Sequence, residues 1–423
     1  MEIQSKNEPI PVVAGDAVAA PSADTAVSVN QKTEPGAAPK EGKVYFKNLT
    51  GLRSIGAIRV LVGHIEFLKA FWGLAAFEWF PIGGKIGVTF FFALSGFLIT
   101  ALLLQEREIT GTVKMKKFYM RRMLRILPLY YLMVLLSIFV FSQIDFLKIP
   151  GYTDSMLENL SWANLLIVLL LLPNFFDFHI PYIDQRWSIV VEEQFYLIQP
   201  MFIRFLKKRW LLVTVFVLIG LLPEIVRWGY TTFGLENTIP KGAIVAITTQ
   251  LKYLGCISMG CVFSVLYFRR ESKMKQILFT RWVQWGTLAV IFGGILIGYY
   301  VYHTPELIDY RLYALLFGLV VFNATLNPNT IFRLEYPILN FLGNISYGIY
   351  MLHPVCIGVG LALGSRVTKD PVLQNLIIYP VSVGLTILLA WLSYRYFESY
   401  FLKFKKGFSI LKFKGGKKGK SVE

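Results

Sequence analysis

The chain is dominated by apolar runs long enough to cross a bilayer. A helix of about 17–25 predominantly apolar residues covers the hydrocarbon core. Ten runs of that size follow one another, at roughly 52–72, 86–104, 123–142, 188–206, 210–228, 243–268, 282–302, 311–327, 338–362 and 372–400. None alternates as a barrel strand would, and backbone groups in lipid must be paired within their own segment, so each run is expected to be a helix. Composition supports this: 55% of residues are hydrophobic and 16% charged, against about a quarter charged in soluble domains. A soluble enzyme, a disordered protein and a disulfide scaffold are thereby excluded. The fold class expected is all-α, a polytopic membrane bundle of about ten transmembrane helices.

The formal charge is +17. On a soluble domain that surplus would suggest nucleic acid. Here it is confined to short connections, the pattern expected where loops meet an anionic cytoplasmic leaflet. An eleventh apolar run, 161–176, is too short to be decisive on its own. If it crossed, Lys207, Lys208 and Arg209 would emerge opposite the other basic clusters. If it rests on or dips into the outer face, all the clusters share one side and both termini are cytoplasmic. Residues 1–44, rich in Ala, Val, Pro, Ser and Glu with no long apolar run, read as a disordered cytoplasmic tail rather than a signal peptide. Residues 403–423 carry eight lysines and read as a basic cytoplasmic tail, leaving 45–402 as the membrane domain. Cys256, Cys261 and Cys356 sit inside apolar runs and read as small buried side chains. The four histidines lack ligand spacing, so no metal is expected.

Ionisable residues inside a span cost at least about 2.5–3.5 kcal/mol each near mid-membrane. The first run carries Arg53, Arg59, His64, Glu66 and Lys69, so it must line a polar cavity or be sheathed by other helices. Arg53 and His64 are eleven residues apart, which places them on one helix face about 16 Å apart along the axis. A fixed cation at the inner mouth suits an anionic ligand, and an interior imidazole suits a general base. Equally, Arg53 could be a positive-inside flank and His64 a hydrogen-bonded bundle residue. Arg122 and Arg125, with Arg121 beside them, share the inner end of the third span. They could clamp phosphate or serve only as topogenic charge.

Glu192 and Glu193 lie inside the fourth span, one turn past Ser188. They could orient a histidine, hold a sugar hydroxyl, or pair Arg59 or another buried cation. The run GNISYGIYMLHPV holds Ser346, Tyr347, Tyr350 and His353, and Pro354 there must kink the helix or free a carbonyl. A structural His353 is the simpler reading. Ser95 and Gly96 suit close helix approach.

In this order the segments resemble the acyltransferase-3 family of integral membrane O-acyltransferases, from about Leu49 to Leu402. LTGLRSIGAIRVLVGH looks like its first-helix Arg-x10-His motif, on Arg53 and His64. RRMLRILPLYY looks like its cytoplasmic Arg-x-x-Arg, on Arg122 and Arg125. GVTFFFALSGFLIT, WSIVVEEQFYLIQP, ISYGIYMLHP and SYRYFESYF look like four further signatures. Thr50 and Ser399 stand where the family often has Asp and Pro.

The resemblance implies transfer of an acyl group, commonly acetyl, from cytoplasmic acyl-CoA to a hydroxyl of a cell-envelope carbohydrate or other exported molecule. Arg53, Arg122 and Arg125 would hold the donor, with His64 as base and Glu192 or Glu193 orienting it or the acceptor. Some relatives carry a fused esterase-like domain, so a separate extracytoplasmic transferase is an implied partner. The expected location is the inner (plasma) membrane. The rival classes are a transporter of an acylated saccharide or small anion, against which the chain shows no matching half with broken helices, and a scaffold, which has no use for buried ionisable groups in separate helices. In the outer connection Trp162, Phe175, Phe176, Tyr182 and Trp187 could stack on sugar rings or anchor at the interface.

Overall fold

A computed structural model describes residues 46–75, 84–149, 151–158, 160–175, 178–267, 273–302 and 308–408. The N-terminal tail, most of the basic C-terminal tail, His303 and Phe176 therefore lie outside the described residues. What is described is helical, with no strand among the described residues. Ten long helices follow in order: α1 Leu49–Phe71, α2 Gly84–Thr110, α3 Met115–Phe139, α4 Arg186–Phe205, α5 Arg209–Thr232, α6 Lys241–Tyr267, α7 Arg281–Tyr300, α8 Tyr310–Leu326, α9 Ser346–Val367 and α10 Pro371–Leu392.

Seven of them are long and apolar enough to cross a membrane: α2, α3, α5, α6, α7, α9 and α10. The other three stand at the expected positions but fall short of that measure. α1 and α4 carry too many charges, and α8 has only 17 residues. The chain is thus a multi-pass helical membrane protein. Its outer helices turn large apolar side chains outward, among them Leu221 and Ile225 on α5, Phe292 and Leu296 on α7, and Leu376 and Leu388 on α10. Trp210 and Trp282, each the second residue of its helix, are exposed where interfacial anchors belong.

α1 is sheathed, as its charges require. It packs against α2, α9, α10, α8 and the short helix Pro337–Asn344. Its charges are met inside the bundle: Lys69, only 1% exposed, donates to Glu66 Oε1 and to Asn375 Oδ1, and Tyr379 donates to the same Glu66 oxygen. α2 and α6 approach so closely that a Cβ on Gly96 would lie 2.0 Å from the Ile257 carbonyl oxygen, and one on Gly260 2.1 Å from that of Ala93. The three cysteines are free and buried.

Two runs differ from the sequence reading. The run 338–362 is broken at Ile345, so that Pro337–Asn344 packs separately on α1 and the long helix begins at Ser346. Gly343 makes that packing close: a Cβ there would lie 2.0 Å from the Thr50 carbonyl oxygen. The last helix does not stop near 400. It passes through a π-helical turn at Ser393–Glu398 and continues as Ser399–Phe404 and a 3₁₀ turn, Lys405–Phe408, packed along α3. The run 161–176 yields an eight-residue helix, Trp162–Leu169, about 12 Å long and too short to span.

Contacts bring the α2–α3 connection, the α4–α5 connection and the C-terminal turn together at one end of the bundle. Arg209 pairs with Glu108 at 2.8 Å, Arg107 donates to the Ile203 and Leu206 carbonyls, and Arg121 donates to the Phe408 carbonyl.

Candidate active site

α3 and α4 run antiparallel, and their register sets the centre of the site. Tyr119 donates to the Leu197 carbonyl at 2.8 Å. One turn further along α3, and one turn back along α4, Arg122 meets Glu193 at 3.3 Å and Glu192 at 4.0 Å. Its guanidinium also lies 4.2 Å from the centre of the Tyr196 ring. Glu192 in turn accepts from Ser95 at 3.1 Å and from Tyr196 at 3.3 Å. The pair of adjacent carboxylates is thus tied to Arg122, and among the described residues no hydrogen bond joins either to a histidine.

A cavity opens beside this cluster, among α1, α2, α3, α4, α9 and the C-terminal turn. It runs from Phe118, Arg121 and Lys405 at the basic end to Phe91, Ser188 and Tyr350 deeper in the bundle. Arg53, Arg121, Arg122, Arg125 and Lys405 line it, against Glu192 as the one carboxylate among the lining residues. Arg121 is taken up by Glu106 at 3.0 Å and Arg122 by the glutamates. Arg53 reaches across from α1 to α9, where it donates to the neutral Ser346 Oγ at 2.8 Å. Among the described residues Arg53, Arg125 and Lys405 have no ion-pair partner. Burial first, then the charges of Arg125, Arg122, Arg121 and Arg53, pull the Lys405 amine, just beyond the last span, down to about 8. Such a cavity favours an anion strongly.

The inner wall is hydroxyl-rich. Tyr350 hydrogen-bonds to Ser188 and donates to the Gln185 carbonyl at 3.2 Å. Tyr347, also lining the cavity, donates to the Ile126 carbonyl at 2.6 Å.

His64 does not line this cavity. It is partly exposed, with its ring centre 4.8 Å from that of His353, whose other side meets the cavity-lining Tyr350. His353 is fully buried and 5.8 Å from the Tyr350 ring. His64 Nδ1 is 2.8 Å from the Val60 carbonyl oxygen. A carbonyl only accepts, so Nδ1 carries the proton and Nε2 a lone pair.

The structure therefore brings Arg53, Arg122, Arg125 and Glu192 to one cavity, with Glu193 behind Arg122, and leaves His64 outside its lining. Ser95, expected only to pack, reaches Glu192, while its neighbour Gly96 does the packing. Lys405 was hidden in a run that reads as tail. Of the outer aromatics, Tyr182 is buried with its hydroxyl on the Leu147 carbonyl, Trp187 packs 4.5 Å from Tyr253, and Trp162 is exposed. Among the described residues no group of three His, Cys, Asp or Glu converges as metal ligands would.

Fold and cavity together define a multi-pass helical membrane protein with a predominantly cationic cavity among its helices. The chain belongs to the acyltransferase-3 family: the family model described as an acyltransferase domain matches residues 46–395. Over 388 residues, 86% of this chain, it is 27% identical to the peptidoglycan O-acetyltransferase OatA of Listeria monocytogenes, of which it covers 58%. It is also 27% identical over 393 residues, 89% of this chain, to the O-acetyltransferase OatA of Staphylococcus aureus, of which it covers 60%. The chain thus spans about three fifths of the length of these relatives. No solved structure matches it.

Proposed function

We propose that the protein transfers an acyl group, acetyl in the first instance, from acyl-CoA to a hydroxyl of a cell-envelope carbohydrate. The observation that carries the reading is the cavity in which Arg53, Arg125 and Lys405 stand without ion-pair partners among the described residues, beside Arg122. The gathered basic connections favour a cytoplasmic placement for that end. The donor's phosphates then meet the cations at the mouth, and its slender thioester arm extends inward past Tyr347 and Tyr350. His64 is not among the residues lining the cavity, so delivery of the thioester requires side chains at its inner end, where Tyr350 meets His353, to move.

His64 is the base in this reading. With Nδ1–H held by the Val60 carbonyl, Nε2 is free to take the proton of the acceptor hydroxyl as its oxygen attacks the thioester carbon. Help of this kind is worth roughly 10²–10⁴-fold. Glu192 and Glu193 hold Arg122 in place and, through Ser95 and Tyr196, shape the polar wall. The acceptor approaches from the opposite face. Because the Listeria relative is named for peptidoglycan, a cell-wall glycan is the first acceptor to try.

The test uses the purified chain in detergent with labelled acetyl-CoA. His64→Ala should abolish transfer while donor binding survives. Near wild-type turnover by His64→Ala would remove the base assignment, and flux of an acylated saccharide into proteoliposomes without any CoA dependence would favour a transporter.

A further inference from the structure

The second imidazole, His353, stands against the proposed base in a state that packing does not explain. Pro354 has no N–H, so the Tyr350 carbonyl, four residues back, loses its helical donor. His353 Nδ1 takes the vacancy and donates to that carbonyl at 2.8 Å. The proton therefore sits on Nδ1, and Nε2 holds a lone pair. That nitrogen is buried and has no hydrogen-bond partner among the described residues. A residue needed only to fill space at this 0%-exposed position would be apolar, because a buried acceptor without a donor is unfavourable.

His64 is in the same tautomer, fixed by Val60. The two rings lie edge to face with centres 4.8 Å apart. In the resting state each offers only a lone pair at Nε2, so no hydrogen bond joins them. A donor appears when a proton reaches His64. Rings this close need only small side-chain rotations to bring two edge nitrogens within hydrogen-bond reach.

We propose that His353 is a positioning residue for acyl transfer: its Nε2 accepts a hydrogen bond from His64 Nε2–H once His64 has taken the acceptor's proton. The inference rests on the reading of His64 as base. The acceptor O–H bond breaks and its proton moves to His64 Nε2. The alcohol oxygen bonds to the thioester carbon, the C–S bond breaks, and the proton passes from His64 to the leaving sulfur. His353 stays neutral and is unchanged at the end. Its hydrogen bond exists only while His64 is charged, between uptake of the alcohol's proton and its delivery to sulfur, so it stabilises the imidazolium intermediate and not the resting enzyme.

The experiment measures CoA thiol release from acetyl-CoA by the purified full chain with an envelope glycan extract, for His353→Phe, His353→Gln and His64→Ala. His353→Phe keeps the ring shape and removes the acceptor, so kcat should fall about 10²-fold with the acetyl-CoA KM unchanged. His353→Gln can place a carbonyl oxygen near the position of Nε2 and should recover turnover to within about 10-fold of wild type. The double variant His64→Ala/His353→Phe should be no slower than His64→Ala alone. Wild-type kcat in His353→Phe, with His64→Ala inactive, overturns the role of His353 and leaves the base reading standing. Equal loss of turnover and of thermal stability in the Phe and Gln variants also overturns it, by showing a packing role. An active His64→Ala instead overturns the base reading.

Discussion

Arg122 on α3 and Glu193 on α4 meet at 3.3 Å, with Glu192 at 4.0 Å on the same guanidinium nitrogen. All three side chains are at least four-fifths enclosed. Removing one partner of such a cluster strands the rest without compensation, at a cost of about 3–5 kcal/mol. Arg122→Ala should therefore lower thermal stability as well as weaken the donor, because it leaves two carboxylates facing each other with no cation between them. Arg122→Lys retains the charge but not the planar stack on Tyr196, and should recover part of the stability. Fluorescence-monitored unfolding in detergent measures both. A fully stable Arg122→Ala would mean that the glutamates are not held by this arginine.

Arg125 gives the cleaner test of donor binding. It lines the cavity with no ion pair among the described residues, and Arg53 has only the neutral Ser346 hydroxyl. Neither arginine makes a direct ion pair among the described residues, and the buried Glu398 carboxylate feels both at longer range, so the loss of one leaves the other to compensate it. Charge-assisted hydrogen bonds contribute about 1.5–3 kcal/mol, so Arg125→Ala and Arg53→Ala should each raise the dissociation constant of acetyl-CoA by roughly 10- to 100-fold. Added salt should weaken wild-type binding more than that of the variants. Calorimetric titration with acetyl-CoA in detergent reads this directly, and unchanged affinity in both variants would remove the donor from this cavity.

What could be read beforehand divides along physical lines. Although only seven of the ten long helices are long and apolar enough to cross a membrane, the positions of the long helices were legible because apolarity is a local property. So was the freeing of a carbonyl by Pro354, which depends only on the missing N–H. The pairing of Glu193 with Arg122 was legible only as a need for some buried cation, since it depends on the register between α3 and α4, which no single segment encodes. His64 and His353 stand 289 positions apart in the chain, and only the packing of α9 against α1 brings their rings together. Lys405 was missed because composition alone marks 403–423 as tail, although the π-helical turn at Ser393–Glu398 carries the last helix onto α3 and its lysine into the cavity.

The α2–α6 contact should tolerate no added methyl. A Cβ on Gly96 would come within 2.0 Å of the Ile257 carbonyl oxygen, which is backbone and cannot rotate aside. Overpacking of this kind costs about 1–3 kcal/mol when the structure can yield. Gly96→Ala should therefore unfold at lower temperature, with reduced yield from membranes. Gly286→Ala on α7, where nothing lies within 4 Å of the added atom, is the matched control and should behave as wild type. Equal stability of the two variants would show that the helices can separate at little cost.

Lys405 makes donor binding depend on pH in a defined direction. Burial and the neighbouring arginines bring its amine from 10.5 to about 8. Below that value it is a cation and attracts phosphate. As pH rises through it, the unliganded protein loses this charge while the arginines keep theirs. Acetyl-CoA affinity should then fall between about pH 7 and 9, and donor binding above pH 8 should be accompanied by proton uptake, since a bound anion favours the charged amine. Stability of the unliganded protein has the opposite slope. Because the folded value lies below the unfolded one, the unfolded chain binds the extra proton between about 8 and 10.5, so this residue makes the fold more stable as pH rises across that window. Lys405→Met should flatten both profiles and leave the neutral-pH affinity at the level the wild type reaches near pH 9. Titrations of acetyl-CoA in buffers of different ionisation enthalpy separate proton uptake from binding, and an unaltered pH profile in Lys405→Met would assign the dependence to another group.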